Sequence, residues 1–141
     1  MIMQTLILAC ALAVLGYFPA MAGTVTAIVD KTDQTMIVLV DGELVHTWAV
    51  STGKYYDWTP PGTFGVQSMK VMHYSTKYSN APMPHSIFFN GDIAAHGTTE
   101  IGQLGKMASK GCVRLHPDNA KILFDLVRAN GLANTTIIVQ D

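Results

Sequence analysis

Two short segments hold residue types suited to covalent chemistry: Ala95-His96-Gly97-Thr98, and Ser109-Lys110-Gly111-Cys112-Val113-Arg114-Leu115-His116. A thiol is a poor nucleophile until ionised, and at an ordinary pKa of about 8.5 little thiolate exists at neutral pH. A nearby imidazole can take that proton, which gives the Cys/His arrangement of acyl transfer. Of the five histidines, His96 is the best placed, because it ends an expected strand and a glycine-containing loop joins it to Cys112. Lys110 would favour the thiolate by Coulomb attraction if its ammonium faces the sulfur. Gly111 leaves the approach to the sulfur free of a side chain, and the amides of Lys110, Gly111 and Cys112 can point at a developing oxyanion. The same residue types also fit a buried structural cysteine beside an unrelated histidine.

Whether Cys112 is a lone thiol depends on the N-terminus. Residues 1–22 contain no Asp, Glu, Lys or Arg; an apolar run from Leu6 to Leu15 is followed by Gly16, Pro19 and Ala20-Met21-Ala22. This is the pattern of a secretory signal peptide cut after Ala22. The apolar run is short beside the roughly 20 residues of a bilayer-spanning helix, so an uncleaved anchor is the weaker reading. Cleavage removes Cys10, unless Ile7-Leu8-Ala9-Cys10 serves as a lipidation site, and leaves Cys112 without an intramolecular partner. An odd cysteine in a secreted chain points to a reactive thiol or an interchain link.

Residues 23–141 suffice for one domain with a modest core. Their charges nearly cancel, the formal net charge being −1, so nothing electrostatic points to nucleic acid or an acidic membrane surface. His73, His85 and His116 lack short metal-ligand spacing, so no metal is expected, and no cofactor is called for.

The elements that must position the thiol read as mainly β. Strands are expected at Thr24–Val29, Thr35–Val40 and Glu43–Val50, with a hairpin turn at Asp41-Gly42, giving an antiparallel meander. Thr59-Pro60-Pro61-Gly62-Thr63 reads as a turn or rim loop, since prolines remove ladder donors. Val66 to Pro84 shows no clear period. Ile87–Phe89 and Ile93–Ala95 form a hairpin through Asn90-Gly91, which puts His96 at a strand end. Pro117 opens one amphipathic helix, with Ile122, Leu123, Leu126 and Val127 at helical spacing and Gly131 as its stop; Thr135–Val139 closes the chain as a strand.

These residues together resemble the catalytic domain of the L,D-transpeptidase family, also called YkuD-like. Its pattern is a His-Gly-Thr strand end, a short loop, then Ser-(His/Lys/Arg)-Gly-Cys-x-Arg, matched here by His96-Gly97-Thr98 and Ser109-Lys110-Gly111-Cys112-Val113-Arg114. Ile101-Gly102, Val50-Ser51-Thr52-Gly53 and Thr59-Pro60-Pro61-Gly62 agree with the same family. The resemblance implies a single β-sandwich or barrel domain over residues 23–141, with one main C-terminal helix and short helical turns.

It also implies the chemistry. Cys112 would attack the carbonyl of the third residue of a peptidoglycan tetrapeptide stem and expel D-alanine, with His96 as general acid and base. An acceptor amine then gives a 3-3 cross-link, attachment of an envelope protein or D-amino-acid exchange; water would make the enzyme a carboxypeptidase or a hydrolytic amidase. Gly97 would orient His96 through its carbonyl, and Arg114 would anchor a substrate carboxylate or the catalytic loop. Ser109 would bond the loop or substrate. Many members carry His where this chain has Lys110, which leaves His96 as the only imidazole of the motif. A non-catalytic wall-binding module is the rival from another class. A papain-like endopeptidase is disfavoured, because those enzymes place Cys before His along the chain. A secreted wall enzyme without a sorting tail is expected in a Gram-negative periplasm, with no stable membrane insertion after cleavage.

Other residues invite plainer readings. His46 is expected on an exposed strand face, and Tyr55, Tyr56 and Trp58 in a packed rim. His85 and His116 are candidates to line the cleft, and Tyr74 and Tyr78 to border a donor-stem groove.

Overall fold

The computed structural model describes residues 23–141; the expected signal peptide and Cys10 lie outside the described residues. Strand β1 (Val25–Asp30), β2 (Thr35–Val40) and β3 (Glu43–Ser51) form the expected meander, with Val25 paired to Val40 and Thr35 to Ala49. Burial alternates along β1, where Val25, Ala27 and Val29 point inward, as a strand with one wet face requires.

Three strands go beyond the sequence reading, two of them before the hairpin that leads to His96 and the third just after Cys112, at Val113–Leu115. Gly62–Gly65 forms β4 rather than staying a turn, but it sits at the edge of the sheet, after both prolines, where no ladder donor is missed. The stretch without clear period holds β5 (Ser68–Tyr74) and the start of β6 (Pro82–Asn90). Pro82 and Pro84 are tolerated because that end of β6 pairs only with β5, while β7 (Ile93–Gly97) meets Ile87–Asn90 across the expected Asn90-Gly91 hairpin.

A short β8 (Val113–Leu115) and a closing β9 (Thr135–Gln140) complete one nine-stranded sheet, ordered β4-β9-β1-β2-β3-β8-β7-β6-β5. β3 serves both halves: Glu43–Ala49 pairs with β2, then Val50 and Ser51 pair with β8. The sheet curls there, and its halves close over one core in which Phe64 of β4 lies 5.4 Å from Phe89 of β6, ring to ring.

The helix α1 (Pro117–Asn130) packs on β6 and β7. Its buried stripe is Ala120, Leu123, Phe124 and Val127, while Ile122 faces outward. Burying side chains such as Leu123 and Phe124 contributes about 1.5–3 kcal/mol each. A Cβ on Gly97 would lie 3.5 Å from the Ala120 side chain, so the helix rests against the strand that carries His96.

Candidate active site

β7 and β8 run parallel, with Ala95 beside Val113, His96 beside Arg114 and Gly97 beside Leu115. One residue before β8, Cys112 Sγ lies 3.5 Å from the amide nitrogen of Ala94 and 3.7 Å from the Asp92 carbonyl oxygen. Strand alternation puts Ala94 and His96 on one side of β7. Cys112, His96 and Arg114 accordingly open into a single cleft of about 440 Å³, which Asp92, Ser109 and Tyr78 also line.

His96 is buried, and its Nδ1 is 2.6 Å from the carbonyl oxygen of Gly97. A carbonyl only accepts, so Nδ1 carries the hydrogen and Nε2 is left with its lone pair. Burial pushes the imidazole pKa down to about 4, against the hydrogen bond to Gly97 and with help from the Arg114 charge. Gly97 is closely packed: a Cβ there would lie 3.0 Å from the Pro84 side chain and 3.1 Å from the backbone of Pro117, so one of these neighbours would have to give way.

Burial also pushes the Cys112 thiol up, opposed by the Ala94 N–H and the Arg114 guanidinium. Desolvation disfavours charge on both partners. In both partners desolvation thus favours the neutral form, thiol and imidazole, over a thiolate–imidazolium ion pair.

The loop before the thiol is braced from within. Ser109 Oγ donates to the Cys112 carbonyl at 2.6 Å and accepts from the Gly111 amide at 3.1 Å. The Gly111 amide is thus engaged in the loop rather than aimed at an oxyanion. Gly111 also owes its identity to something other than access to the sulfur: its φ is +131°, and a Cβ would meet the Trp58 carbonyl oxygen at 2.9 Å. Thr52 accepts the amides of Ala108 and Ser109 on its carbonyl, and Thr59 Oγ1 donates to the Gly111 carbonyl at 2.7 Å. Neither threonine carries a sequence signal for this support beyond the strand end and the proline turn that contain them, because each acts on a loop 52 or more residues away in the chain.

Arg114 Nη2 donates to Ser51 Oγ at 3.2 Å and to Gln103 Oε1 at 2.5 Å, tying β8 to the end of β3 and to a short helical turn over Ile101–Gln103. Lys110 is exposed, and its ammonium lies 4.5 Å from the centre of the Tyr78 ring instead of facing the sulfur.

The remaining candidates separate. Tyr78 borders the cleft and so does His73, whose ring meets Phe88 edge-on. Tyr74 is half exposed at the edge of the sheet. His85 packs on Phe124 of the helix, and His116 caps that helix by accepting the Asp118 amide at 3.1 Å, so neither lines the cleft. His46 stacks on Trp48, and Tyr55 meets Trp58 edge to face in an exposed rim.

The family model of the L,D-transpeptidase catalytic domain, YkuD, matches residues 24–139. The chain belongs to this family. Its sequence is 28% identical over 127 residues to a candidate L,D-transpeptidase of Bacillus subtilis (strain 168), YqjB, covering 81% of this chain and 70% of that one. The fold of this L,D-transpeptidase domain is similar to that of an L,D-transpeptidase from Mycobacterium smegmatis (TM-score 0.74, 25% identity). It is also similar to one from Stackebrandtia nassauensis (TM-score 0.72, 29% identity). The L,D-transpeptidase domain aligns over 84% of its own chain in both cases, and spans 59% and 56% of those two chains.

Proposed function

We propose that this L,D-transpeptidase domain is a cysteine acyltransferase acting on peptidoglycan stem peptides. The observation that carries the reading is the pairing of Cys112 and His96 in one cleft, with His96 Nδ1 tied to Gly97 and Nε2 left as a proton acceptor.

In the first half-reaction Cys112 Sγ bonds to the carbonyl carbon of the third stem residue as its proton passes to His96 Nε2. Collapse breaks the C–N bond to D-alanine, and the imidazolium returns that proton to the leaving amine. In the second half an acceptor amine attacks the thioester and gives its proton to His96; the C–S bond breaks and the thiolate is reprotonated. With the Gly111 amide engaged by Ser109, the amide of Cys112 is the better candidate for the developing oxyanion. Arg114, anchored by Ser51 and Gln103, lines the cleft where a substrate carboxylate would lie. Residues 1–22 would deliver the domain to a periplasmic wall, where the acceptor is a second stem peptide or an envelope protein.

The test is incubation with purified tetrapeptide muropeptides. Cross-linked dimers together with released D-alanine are expected. Tripeptide alone would replace transfer by hydrolysis, and unchanged tetrapeptide would remove the peptidoglycan reading.

A further inference from the structure

Lys31 lies in the turn between β1 and β2, does not line the cleft, and is only 2% exposed. Among the described residues no carboxylate pairs with it. Its ammonium instead donates to the carbonyl oxygens of Tyr56 at 2.9 Å and Thr59 at 2.8 Å, and sits 3.6 Å from the centre of the Tyr56 ring. Gln34 holds the turn by donating to the Lys31 carbonyl at 2.7 Å. A buried ammonium is costly unless its donors are met, and here two carbonyls and an aromatic face meet them.

The segment so gripped, Tyr56 to Thr59, is the one that touches the catalytic loop. Thr59 Oγ1 donates to the Gly111 carbonyl, Gly53 N–H donates to Thr59 Oγ1 at 2.9 Å, and the Trp58 carbonyl oxygen lies so near Gly111 that a Cβ there would meet it at 2.9 Å. Cys112 is the next residue. A chain of contacts therefore runs from Lys31 through the Thr59 backbone and hydroxyl to Gly111 and the thiol.

We propose that Lys31 is a positioning residue for Cys112, fixing the catalytic loop from behind by clamping the Tyr56–Thr59 segment onto Gly111. The proposal rests on the reading of Cys112 as nucleophile. Without the clamp, the segment withdraws, the loop loosens, and the thiol leaves its half-buried position between the Ala94 amide and the Asp92 carbonyl.

The test compares Lys31→Met, Thr59→Val, the double variant and Thr59→Ser, all well below their unfolding temperatures. Two rates are followed: acylation by a carbapenem, and alkylation of Cys112 by iodoacetamide as a function of pH. Lys31→Met and Thr59→Val are each expected to slow acylation at least tenfold and to move the alkylation midpoint down toward that of an ordinary thiol, since burial holds it up. The double variant should be no worse than the worse single one, because both act along one path. Thr59→Ser keeps the hydroxyl and should behave like the wild type.

Folded Lys31→Met with wild-type acylation and an unmoved midpoint would overturn the proposal, as would losses that multiply in the double variant. If Lys31→Met does not fold, Lys31→Gln, which keeps an NH2 donor and gives up reach and charge, carries the same comparison. The alkylation midpoint does not depend on peptidoglycan. A midpoint that moves in a protein that leaves muropeptides untouched would sink the proposed function and keep the clamp.

Discussion

The imidazole of His96 is fixed by its own neighbour: Nδ1 donates to the Gly97 carbonyl at 2.6 Å, inside a site where burial lowers the ring pKa to about 4. A ring held down in this way favours the neutral form through the physiological range, so with His96 as the proposed base the acylation rate should hold steady from pH 8 to near pH 5 and fall only as the ring protonates. A pH–rate profile of carbapenem acylation checks this. A fall centred near pH 6.5 would mean that His96 titrates as an ordinary histidine.

The same shift has a thermodynamic side. His96 binds a proton more readily in the unfolded chain, so above pH 6.5 it contributes nothing, and stability drains away as pH falls from 6.5 toward 4. A depression of this size corresponds to about 3 kcal/mol at the acid end. His96→Gln, which cannot titrate, should lose less stability over that window in urea denaturation. Parallel wild-type and variant curves would place the acid sensitivity elsewhere.

Covalent labelling addresses the two roles directly. A carbapenem should add its mass to the intact protein, the adduct should vanish in Cys112→Ala, and His96→Ala should slow acylation on the order of 10²-fold or more, the usual range for a lost general base. An adduct that survives Cys112→Ala would displace the nucleophile, and an unchanged rate in His96→Ala the base.

Much of this site was readable in the residues because the ordering signals are local. Asn90-Gly91 set the hairpin, Pro117 and Gly131 bracketed the helix, and the His96 and Cys112 segments stood out by residue type. What escaped depends on distant partners. β5 showed no alternation because it is an edge strand whose residues are largely exposed, so no buried face imposed a period. Lys110 read as a charge beside a thiol, but its ammonium finds the Tyr78 ring across the cleft. Lys31, in the polar run Asp30-Lys31-Thr32-Asp33, looks like any solvated turn residue; only the fold of Tyr56–Thr59 over it reveals a buried ammonium.

That placement of Lys110 makes a negative result informative. Lys110→Ala should leave the iodoacetamide midpoint of Cys112 within about 0.3 pH units of wild type, because the charges bearing on the thiol are those of Arg114 and Asp92. A clear rise in the variant would show that the ammonium reaches the sulfur in solution.

Gly111 offers the sharpest steric test of the loop. An alanine there would adopt a φ of +131°, which L-residues rarely visit, and would place its Cβ 2.9 Å from a backbone oxygen that belongs to Trp58 and cannot swing aside as a side chain would. Strain of this kind costs of the order of 1–3 kcal/mol. The loop can relieve it only by moving Gly111 away from Trp58, which breaks the Thr59 hydrogen bond and carries Cys112 with it. Gly111→Ala should therefore lose at least 1 kcal/mol in urea denaturation and, in the fraction that stays folded, most of its carbapenem acylation. Wild-type acylation in a stable Gly111→Ala protein would mean that the thiol does not depend on the contact with Trp58.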